Sequence, residues 1–374
     1  MDPVFVLTDN GRNIKFKELI HFYDVKLGDT SFHTEGHPFE EIRCCVVDYI
    51  DPEDVVAAAN AIRAVDPHLP LLIITDVHSS LQDQHMIQIN GVGRIRLLHW
   101  NANYPDKLIT DIQSLLHPEY PTKSTHIAFV LSVYNEEERF AYVESFCRKL
   151  QDYICTHVIE GSLYLIDDGS GDRTLELIQT LEKDTTLSIN RINRDVSPLL
   201  NAKELGRNTR KAGTYLEGMK EVEADYFVFV DADDSFFIED IARMINIVRL
   251  GYYDMITGTK DTSAENRPWI RVGLSFCKRL ISKPFLPEGV IDSQTGLKVL
   301  SAVAVRRLFP HLKENLGLAV DLEMMFLAKR LKLRVLQLQV ACIDREGSHI
   351  HIWKDSLRFL RSIADIWRLD RRIR

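Results

Sequence analysis

Short apolar runs alternate with amphipathic segments along most of this chain. In its first third the apolar runs are "VFVLTD", "RCCVVDY", "PLLIITD" and "RIRLLHW", and segments such as "PEDVVAAANAIRAV" lie between them. Strands that alternate with helices in this way are typical of parallel sheets with crossover helices. The pattern therefore predicts an α/β protein.

The segment "LLHPEYPTKSTH" interrupts the alternation with prolines and small polar residues, as a linker does. A second series of strands begins at "IAFVLSVYN" and continues to about residue 350, and the last residues have a helical pattern. We expect a flavodoxin- or receiver-like parallel-sheet domain over residues 1–122, a second α/β domain over 123–350 and a helix over 351–374. Two domains is the usual number for 374 residues.

Composition narrows the functional classes. The net charge of −8 argues against a general nucleic-acid binder, which needs a basic face. The chain starts without the basic and apolar segments of a signal peptide. Its longest charge-free apolar run, residues 124–135, is shorter than the roughly 18 residues that span a bilayer. The six cysteines include no CxxC pair, which favours reduced thiols. We expect a cytoplasmic protein without a transmembrane helix.

The N-terminal strands end in residues that resemble those of a response-regulator receiver domain. Asp9, Asp48 and Thr75 match its acidic pocket, its phosphoacceptor and its switch residue. Receivers carry a second acid where this chain has Asn10, and a lysine after the last strand, where "RLLHWNANYP" has none. The resemblance implies a degenerate, non-phosphorylated domain used for dimerisation, docking or regulation. The alternative is an unrelated flavodoxin-like sheet, in which acids at strand ends are common.

The stretch "YFVFVDADDS" ends a buried strand in three carboxylates. Asp231 and Asp233 flank Ala232, so that both can converge on one hard divalent cation, with Ser235 as a further oxygen and Asp234 pointing away. Mg²⁺ or Mn²⁺ suits such ligands and can bridge them to a diphosphate. We expect a Mg²⁺ or Mn²⁺ site here.

Three motifs occur in order, "LSVYNEEE", "LYLIDDGSGDRT" and "YFVFVDADDS". Together they closely resemble the family 2 glycosyltransferases of GT-A fold. The resemblance implies a GT-A domain that binds a nucleotide-diphosphate sugar. The residues it implicates in that binding are Tyr134, Asn135, Glu136, Asp167, Asp168, Ser170, Asp172, Arg207, Lys211, Asp231 and Ala232. A helix-capping role for Asp172 and a solvated helix face for the basic residues Arg207 to Lys211 remain open alternatives.

Later segments indicate the acceptor. "IDSQTGLKVL", "LAVDLEMMFLAKR" and "DREGSHI" resemble segments of the dolichyl-phosphate glucosyltransferases and their mannosyl relatives, although Thr295, Leu297 and His349 depart from that pattern. The resemblance implies inverting hexose transfer to a polyprenyl phosphate. It implicates Asp233, Asp292, Gln294 and Asp321 in catalysis and Lys260, Arg267 and Arg271 in phosphate binding.

Two other functions remain open. With a saccharide or protein hydroxyl as acceptor, Asp321 or Glu323 would act as general base. A regulatory protein that binds a nucleotide sugar without turnover is the second alternative.

The terminal segment 351–374 bears on how the chain would reach a lipid. It carries seven basic and three acidic residues around an apolar stripe with a tryptophan, which suits an amphipathic helix at the inner face of a membrane. A core-packing or dimer helix is the alternative. Partners are therefore expected to be the donor, a lipid phosphate at the membrane surface and a second protein or second copy through the receiver-like domain.

Overall fold

The computed structural model describes residues 3–8, 24–28, 42–49, 51–75, 83–99, 106–116, 125–157, 160–184, 188–189, 197–198, 200–260, 281–293, 295–313, 317, 319–343 and 366. Two compact units divide the chain. The first comprises Met1–Ser124 with Thr156–Ile159 and Ile245–Tyr252, and the second comprises Thr125–Cys155, Glu160–Met244 and Tyr253–Arg374.

The first unit contains a five-stranded parallel sheet in the order β2-β1-β3-β4-β5. This is the strand order of flavodoxin-like folds, as the alternation of strands and helices predicted. Its elements are β1 (Pro3–Thr8), β2 (Asp24–Gly28), β3 (Cys44–Asp48), α1 (Pro52–Val65), β4 (Leu71–Thr75), α2 (Asp83–Met86), β5 (Ile95–His99) and α3 (Asp106–Leu116).

Strands β1, β3 and β4 of the first unit are apolar on both faces. Phe5, Cys45 and Leu71 belong to one buried cluster, and their chain neighbours Val46 and Leu72 belong to another. Successive strand residues point to opposite faces, so each strand needs a continuous apolar run when both faces are covered. Cys44 and Cys45 are therefore core residues, and burial raises the pKa of the Cys44 thiol to about 12.

The second unit contains a seven-stranded sheet in the order β10-β7-β6-β11-β13-β12-β14. Its strands are β6 (His126–Val133), β7 (Glu160–Asp167), β10 (Leu200–Glu204), β11 (Tyr226–Asp231), β12 (Met255–Lys260), β13 (Leu297–Ser301) and β14 (Val335–Val340). β13 runs antiparallel to both of its neighbours, and the other pairs are parallel. A short two-stranded sheet, β8 (Ser188–Ile189) with β9 (Ser197–Pro198), accompanies it.

The helices that lie wholly or mainly in the second unit are α4 (Phe140–Thr156), α5 (Thr174–Glu182), α6 (Lys211–Glu221), α7 (Ile238–Arg249), α8 (Ala302–Leu308) and α9 (Val320–Arg330). Residues 320–328 of α9 are all buried. Within the described residues, none of the helices combines the length and apolar character needed to cross a membrane.

Candidate active site

Neighbouring parallel strands bring the three motifs to one edge of the larger sheet. Val133 of β6 lies opposite Asp167 of β7, and Ser132 lies opposite Asp231 of β11. The carboxyl edge of such a sheet is where ligands bind in α/β folds. β13 is antiparallel to β11, with Leu297 opposite Val230, so the segment that precedes β13 reaches the same edge.

The turn after β7 is fixed by Asp167. Its carboxylate accepts hydrogen bonds from the backbone N–H of Gly169 at 3.1 Å and of Ser170 at 3.0 Å, and from the Ser170 hydroxyl. Gly169 has φ +70, and a Cβ there would lie 2.6 Å from a backbone atom of Arg207. Position 169 therefore needs glycine. The described hydrogen bonds of Asp167 all lie within the turn and stabilise it.

The loop after β6 is bound to that turn. The N–H of Asn135 donates to the Ser170 hydroxyl at 2.9 Å, and its side-chain oxygen accepts from the N–H of Gly171 at 2.9 Å. Glu136 forms an ion pair with Arg139 at 2.7 Å, and the preceding Tyr134 is half-buried. The two motifs thus form one rigid corner of the edge.

Asp168 connects the turn to the segment before α6. Its Oδ1 accepts from the N–H of Thr209 at 2.7 Å and from the Thr209 hydroxyl at 2.6 Å. Burial raises the pKa of Asp168 against the lowering effect of these hydrogen bonds. Sequence reasoning missed Thr209, since no local pattern marks a partner that lies 41 positions away.

Asp172 accepts hydrogen bonds at the start of α5, although the N-cap residue of this helix is Arg173, which has no side-chain cap hydrogen bond. The Asp172 carboxylate accepts from the N–H of Thr174 at 3.0 Å and from the N–H of Glu137 at 3.2 Å. Burial acts to raise its pKa, but the hydrogen bonds from Thr174 and Glu137 outweigh it and the pKa is lowered. A contact of Asp172 with the nucleotide remains a prediction.

Lys211 and Asp231 form an ion pair at the centre of the edge. Lys211 is the first residue of α6, and its Nζ donates to Oδ1 of Asp231. The two side chains are 22% and 32% exposed. Burial acts to lower the pKa of Lys211, but the charges of Asp231 and Asp321 outweigh it and raise the pKa. Lys211 is therefore a charged side chain at this edge, and its described partner is an acid.

The other acids after β11 have different environments. Asp233 is half-buried and accepts from the N–H of Ser235 at 3.2 Å, while Ala232 and Ser235 are buried. Asp234 has φ 55 and is 6% exposed. The ammonium of Lys149 donates to both carboxylate oxygens of Asp234 at 2.8 Å. Asp234 is thus oriented into the protein, whereas Asp231 and Asp233 remain accessible.

The accessible pair suits a divalent cation that arrives with a diphosphate. Among the described residues no group of three or more His, Cys, Asp or Glu side chains is arranged to hold a metal. Mg²⁺, however, is commonly bound by one or two carboxylates together with substrate phosphates. Oδ2 of Asp231 lies over Gly296, where a Cβ would come within 1.9 Å of it, so the absence of a side chain at Gly296 makes room for this carboxylate. Asp231 and Asp233 could therefore hold such an ion.

A second ion pair lies in the core beside the site. Lys298, on β13, is 0% exposed, and its ammonium donates to Asp321 at 2.7 Å and to the carbonyl of Thr295 at 2.6 Å. Asp321 is in the first turn of α9 and is also buried. Sequence reasoning named Asp321 but missed Lys298. Its signal was a lysine inside the apolar run "LKVLS", because a buried lysine needs a carboxylate partner.

Of the remaining predicted residues, some belong to the described part of the chain and others do not. Asp292 lies ahead of β13 and is held through its backbone by Gln337, whose amide donates to the Asp292 carbonyl at 2.6 Å. Lys260 ends β12 and is half-buried, and Arg207 is exposed. Gln294, Arg267 and Arg271 lie outside the described residues, as does the C-terminal helix predicted over 351–374, apart from Ile366, which is helical and buried.

The solved structures that align with this chain include two sugar-phosphoglycerate synthases. Glucosyl-3-phosphoglycerate synthase of Mycobacterium tuberculosis aligns at 16% identity with a TM-score of 0.46, covering 65% of this chain and 80% of that one. Mannosyl-3-phosphoglycerate synthase of Rubrobacter xylanophilus aligns at 14% identity with a TM-score of 0.47, covering 66% and 75%.

Curated relatives are named for dolichyl phosphate. The dolichyl-phosphate beta-glucosyltransferase of Dictyostelium discoideum is 22% identical over 263 residues, covering 68% of this chain and 77% of the relative. The mouse (Mus musculus) protein of the same name is 24% identical over 274 residues, covering 67% and 79%. The UDP-N-acetylglucosamine–dolichyl-phosphate N-acetylglucosaminyltransferase of Methanococcus voltae is 26% identical over 232 residues, covering 59% and 87%.

The family model for glycosyl transferase family 2 matches residues 129–309. That range contains the loop after β6, the turn after β7, Lys211, the acids after β11 and Lys298. Residues 129–309 are therefore similar to glycosyl transferase family 2, and this similarity together with the curated relatives identifies the chain as a glycosyltransferase.

Proposed function

We propose that this protein transfers a hexose from a nucleotide-diphosphate sugar to a polyprenyl phosphate, with inversion at the anomeric carbon and with a divalent metal. The observation that carries this proposal is the contrast between the acids of the site. Asp231 and Asp233 are accessible, while Asp321 is buried and neutralised by Lys298. The names of the curated relatives support the same acceptor class.

The accessible acids belong to the donor side. Carboxylates repel a diphosphate, so Asp231 and Asp233 need Mg²⁺ or Mn²⁺ between them and the donor. When bound, the ion supplies Lewis-acid stabilisation of the departing nucleoside diphosphate. Lys260, the last residue of β12, lies at the same edge of the sheet and adds positive charge for the phosphates. Arg267 and Arg271, which follow β12 in the sequence, are proposed to add further positive charge. The loop after β6 and the turn after β7 would position the nucleoside.

The acceptor side has no accessible general base among the described acids of α9. Asp321 accepts a hydrogen bond from Lys298, and Glu323 is 0% exposed. A phosphate monoester needs no base, since its second pKa is about 6 and it is largely ionised at pH 7. An oxygen of the acceptor phosphate bonds to the anomeric carbon as the bond from that carbon to the donor's β-phosphate oxygen breaks. The nucleoside diphosphate leaves, and the configuration inverts.

The acceptor would be reached at a membrane surface. A polyprenyl phosphate resides in a bilayer, and the basic, tryptophan-containing segment 351–374 is suited to an anionic interface. We propose peripheral association with the cytoplasmic face of the membrane. Co-sedimentation with vesicles that contain anionic lipid, but not with neutral vesicles, is the expected result.

Transfer assays test the proposal directly. The protein is incubated with radiolabelled UDP-glucose, GDP-mannose or UDP-N-acetylglucosamine, polyprenyl phosphate and Mn²⁺ or Mg²⁺. Label that extracts into organic solvent, with a product anomer opposite to that of the donor, supports the proposal. Label only on soluble saccharide or protein acceptors would replace the lipid with a hydroxyl acceptor. Donor binding without transfer to any acceptor would indicate a regulatory protein.

Asp233→Ala is the informative variant in that assay. Loss of one of the two accessible carboxylates should lower the rate by about 10²–10³-fold, the usual effect of removing one group that stabilises developing charge. Glu239→Ala is the matched control, because Glu239 is an exposed acid of the neighbouring helix α7 and its removal should leave the rate unchanged. Full activity of Asp233→Ala would refute the metal assignment.

A further inference from the structure

Lys211 is bound to the Asp231 carboxylate, which is one of the two that would hold a metal. Its ammonium donates to Oδ1 of Asp231, while Oδ2 of Asp231 lies against Gly296. Asp233 and Asp321 act on Lys211 as further negative charges. In the absence of donor, the positive charge that compensates Asp231 is therefore a side chain of the protein itself.

The two lysine–aspartate pairs of this region differ in accessibility. The side chains of Lys298 and Asp321 are 0% and 5% exposed, and the Lys298 ammonium also binds the Thr295 carbonyl. The side chains of Lys211 and Asp231 are 22% and 32% exposed. Water and ions can reach the second pair but not the first. Because a partly exposed ion pair is weak, the Asp231 carboxylate can exchange one cation for another.

A divalent cation and an ammonium cannot share Asp231 without strong repulsion. Like charges repel strongly at contact distance in a partly buried site, and the double charge of the metal doubles the repulsion that a unit charge would exert on the ammonium. Binding of the metal would therefore displace the Lys211 ammonium. The diphosphate that arrives with the metal brings a new anionic partner for this ammonium.

We propose that Lys211 is an exchangeable internal counter-ion, which neutralises Asp231 in the free enzyme and moves to the donor diphosphate when the divalent cation takes its place. This proposal rests on the proposed function. It explains how an edge with several acids is compensated before the donor binds. It also makes metal and nucleotide binding cooperative. The metal releases Lys211 from Asp231, and the diphosphate gives the released ammonium a new anionic partner.

Metal affinity without nucleotide is the critical measurement. Mn²⁺ binding to the full chain is followed by electron paramagnetic resonance of free Mn²⁺, for the wild type and for Lys211→Met. Removal of the competing ammonium should tighten Mn²⁺ binding by about five- to tenfold. The addition of UDP or GDP should increase Mn²⁺ affinity strongly in the wild type and less in Lys211→Met.

Two control variants separate the counter-ion role from other effects. Lys211→Arg keeps the positive charge and should bind Mn²⁺ as weakly as the wild type. Lys203→Met removes a half-buried lysine of β10 that pairs with Glu217 of α6 at 3.5 Å, and this variant should leave Mn²⁺ affinity unchanged. Thermal unfolding of each variant shows that it is folded at the assay temperature.

The outcomes distinguish this proposal from the proposed function. Unchanged or weaker Mn²⁺ binding by folded Lys211→Met overturns the counter-ion role, even where the wild type transfers sugar to lipid. Tighter binding by Lys211→Met supports the counter-ion role, even where no lipid product forms and the acceptor assignment fails. Absence of Mn²⁺ binding by all variants, with and without nucleotide, overturns the counter-ion role together with the metal site.

Discussion

At the scale of single residues, the three acids at the end of β11, Asp231, Asp233 and Asp234, have separate tasks. Asp231 pairs with Lys211 and Asp233 accepts from a backbone N–H, but Asp234 is turned inward to Lys149. The positive φ of Asp234 places it in the left-handed region, where Asp and Asn are tolerated better than most residues.

Asp234→Asn keeps the shape and the backbone preference but removes the charge that binds Lys149. Since the Lys149 side chain is 51% exposed, the expected loss of unfolding free energy is only about 1 kcal/mol. Transfer activity per folded molecule should be preserved. Urea unfolding and a rate assay check both parts. A loss of activity as large as that of Asp233→Ala would show that Asp234 also serves the reaction.

Lys298 and Asp321 form the residue pair with the largest expected energetic effect. Lys298→Met leaves the Asp321 carboxylate buried without its cation, and breaking a buried pair in this way costs about 3–5 kcal/mol. The double variant Lys298→Met/Asp321→Asn removes both charges and should recover a large part of that loss. Urea unfolding of the two single variants and the double variant measures the coupling. Additive losses in the double variant would contradict a direct pair.

At the scale of elements, most strands of the two sheets were predictable from the sequence. Strands covered on both faces need continuous apolar runs, so "VFVLTD" and "YFVFVD" are recognisable without any tertiary information. The motif acids follow those runs directly, which places them at strand ends. Contacts between distant elements were not predictable. Thr209 with Asp168 and Lys149 with Asp234 join residues 41 and 85 positions apart, and their pairing depends on how the helices pack.

The position of β13 also could not be read from its own residues. It inserts antiparallel between β11 and β12, and this insertion places Gly296 against Asp231 and Lys298 against α9. An apolar run such as "LKVLS" has the same appearance in either strand direction. The acids of the proposed metal-binding edge were therefore predictable in their residue types, while the lysines that pair with them required the three-dimensional arrangement.

Helix α9 contains a buried glutamate that makes the stability of the folded protein depend on pH. Glu323 is fully buried in it, and burial raises its pKa from 4.5 to about 7, against the smaller lowering effect of Lys313. Between pH 4.5 and 7 the folded state binds more protons than the unfolded state, so stability falls as pH rises through this window. The total change is about 3 kcal/mol, and it levels off above pH 7.

Glu323→Gln isolates this contribution, because every other titrating group is common to both proteins. The difference in unfolding free energy between wild type and Glu323→Gln should shift by about 3 kcal/mol in favour of the variant between pH 5 and pH 8. Urea unfolding at closely spaced pH values measures it. Parallel pH profiles would show that Glu323 titrates at an ordinary pKa in the folded protein.

At the scale of the whole molecule, a transferase unit accompanies a unit of flavodoxin-like strand order whose role is a proposal only. We propose that the first unit is a degenerate receiver used in regulation or docking. Asp48, at the end of β3, is 0% exposed and accepts a hydrogen bond from the Thr8 hydroxyl at 3.1 Å. A phosphoacceptor must be open to the phosphodonor and needs cations around the new charge. The segment after β5, "WNANYP", supplies no lysine.

Acetyl phosphate should therefore leave this unit unmodified. Incubation of the full chain with acetyl phosphate and Mg²⁺, followed by intact-mass spectrometry, should show no added phosphoryl group, and Asp48→Asn should give the same spectrum as the wild type. An active receiver domain treated in parallel serves as the positive control. The physical reason is that a dianionic phosphoryl group at a buried strand end, without the lysine that receivers carry after the last strand, is far more costly than the carboxyl it replaces. A mass increase in the wild type that Asp48→Asn abolishes would instead make this unit a functional receiver, and transfer activity would then have to be compared between the phosphorylated and unmodified forms.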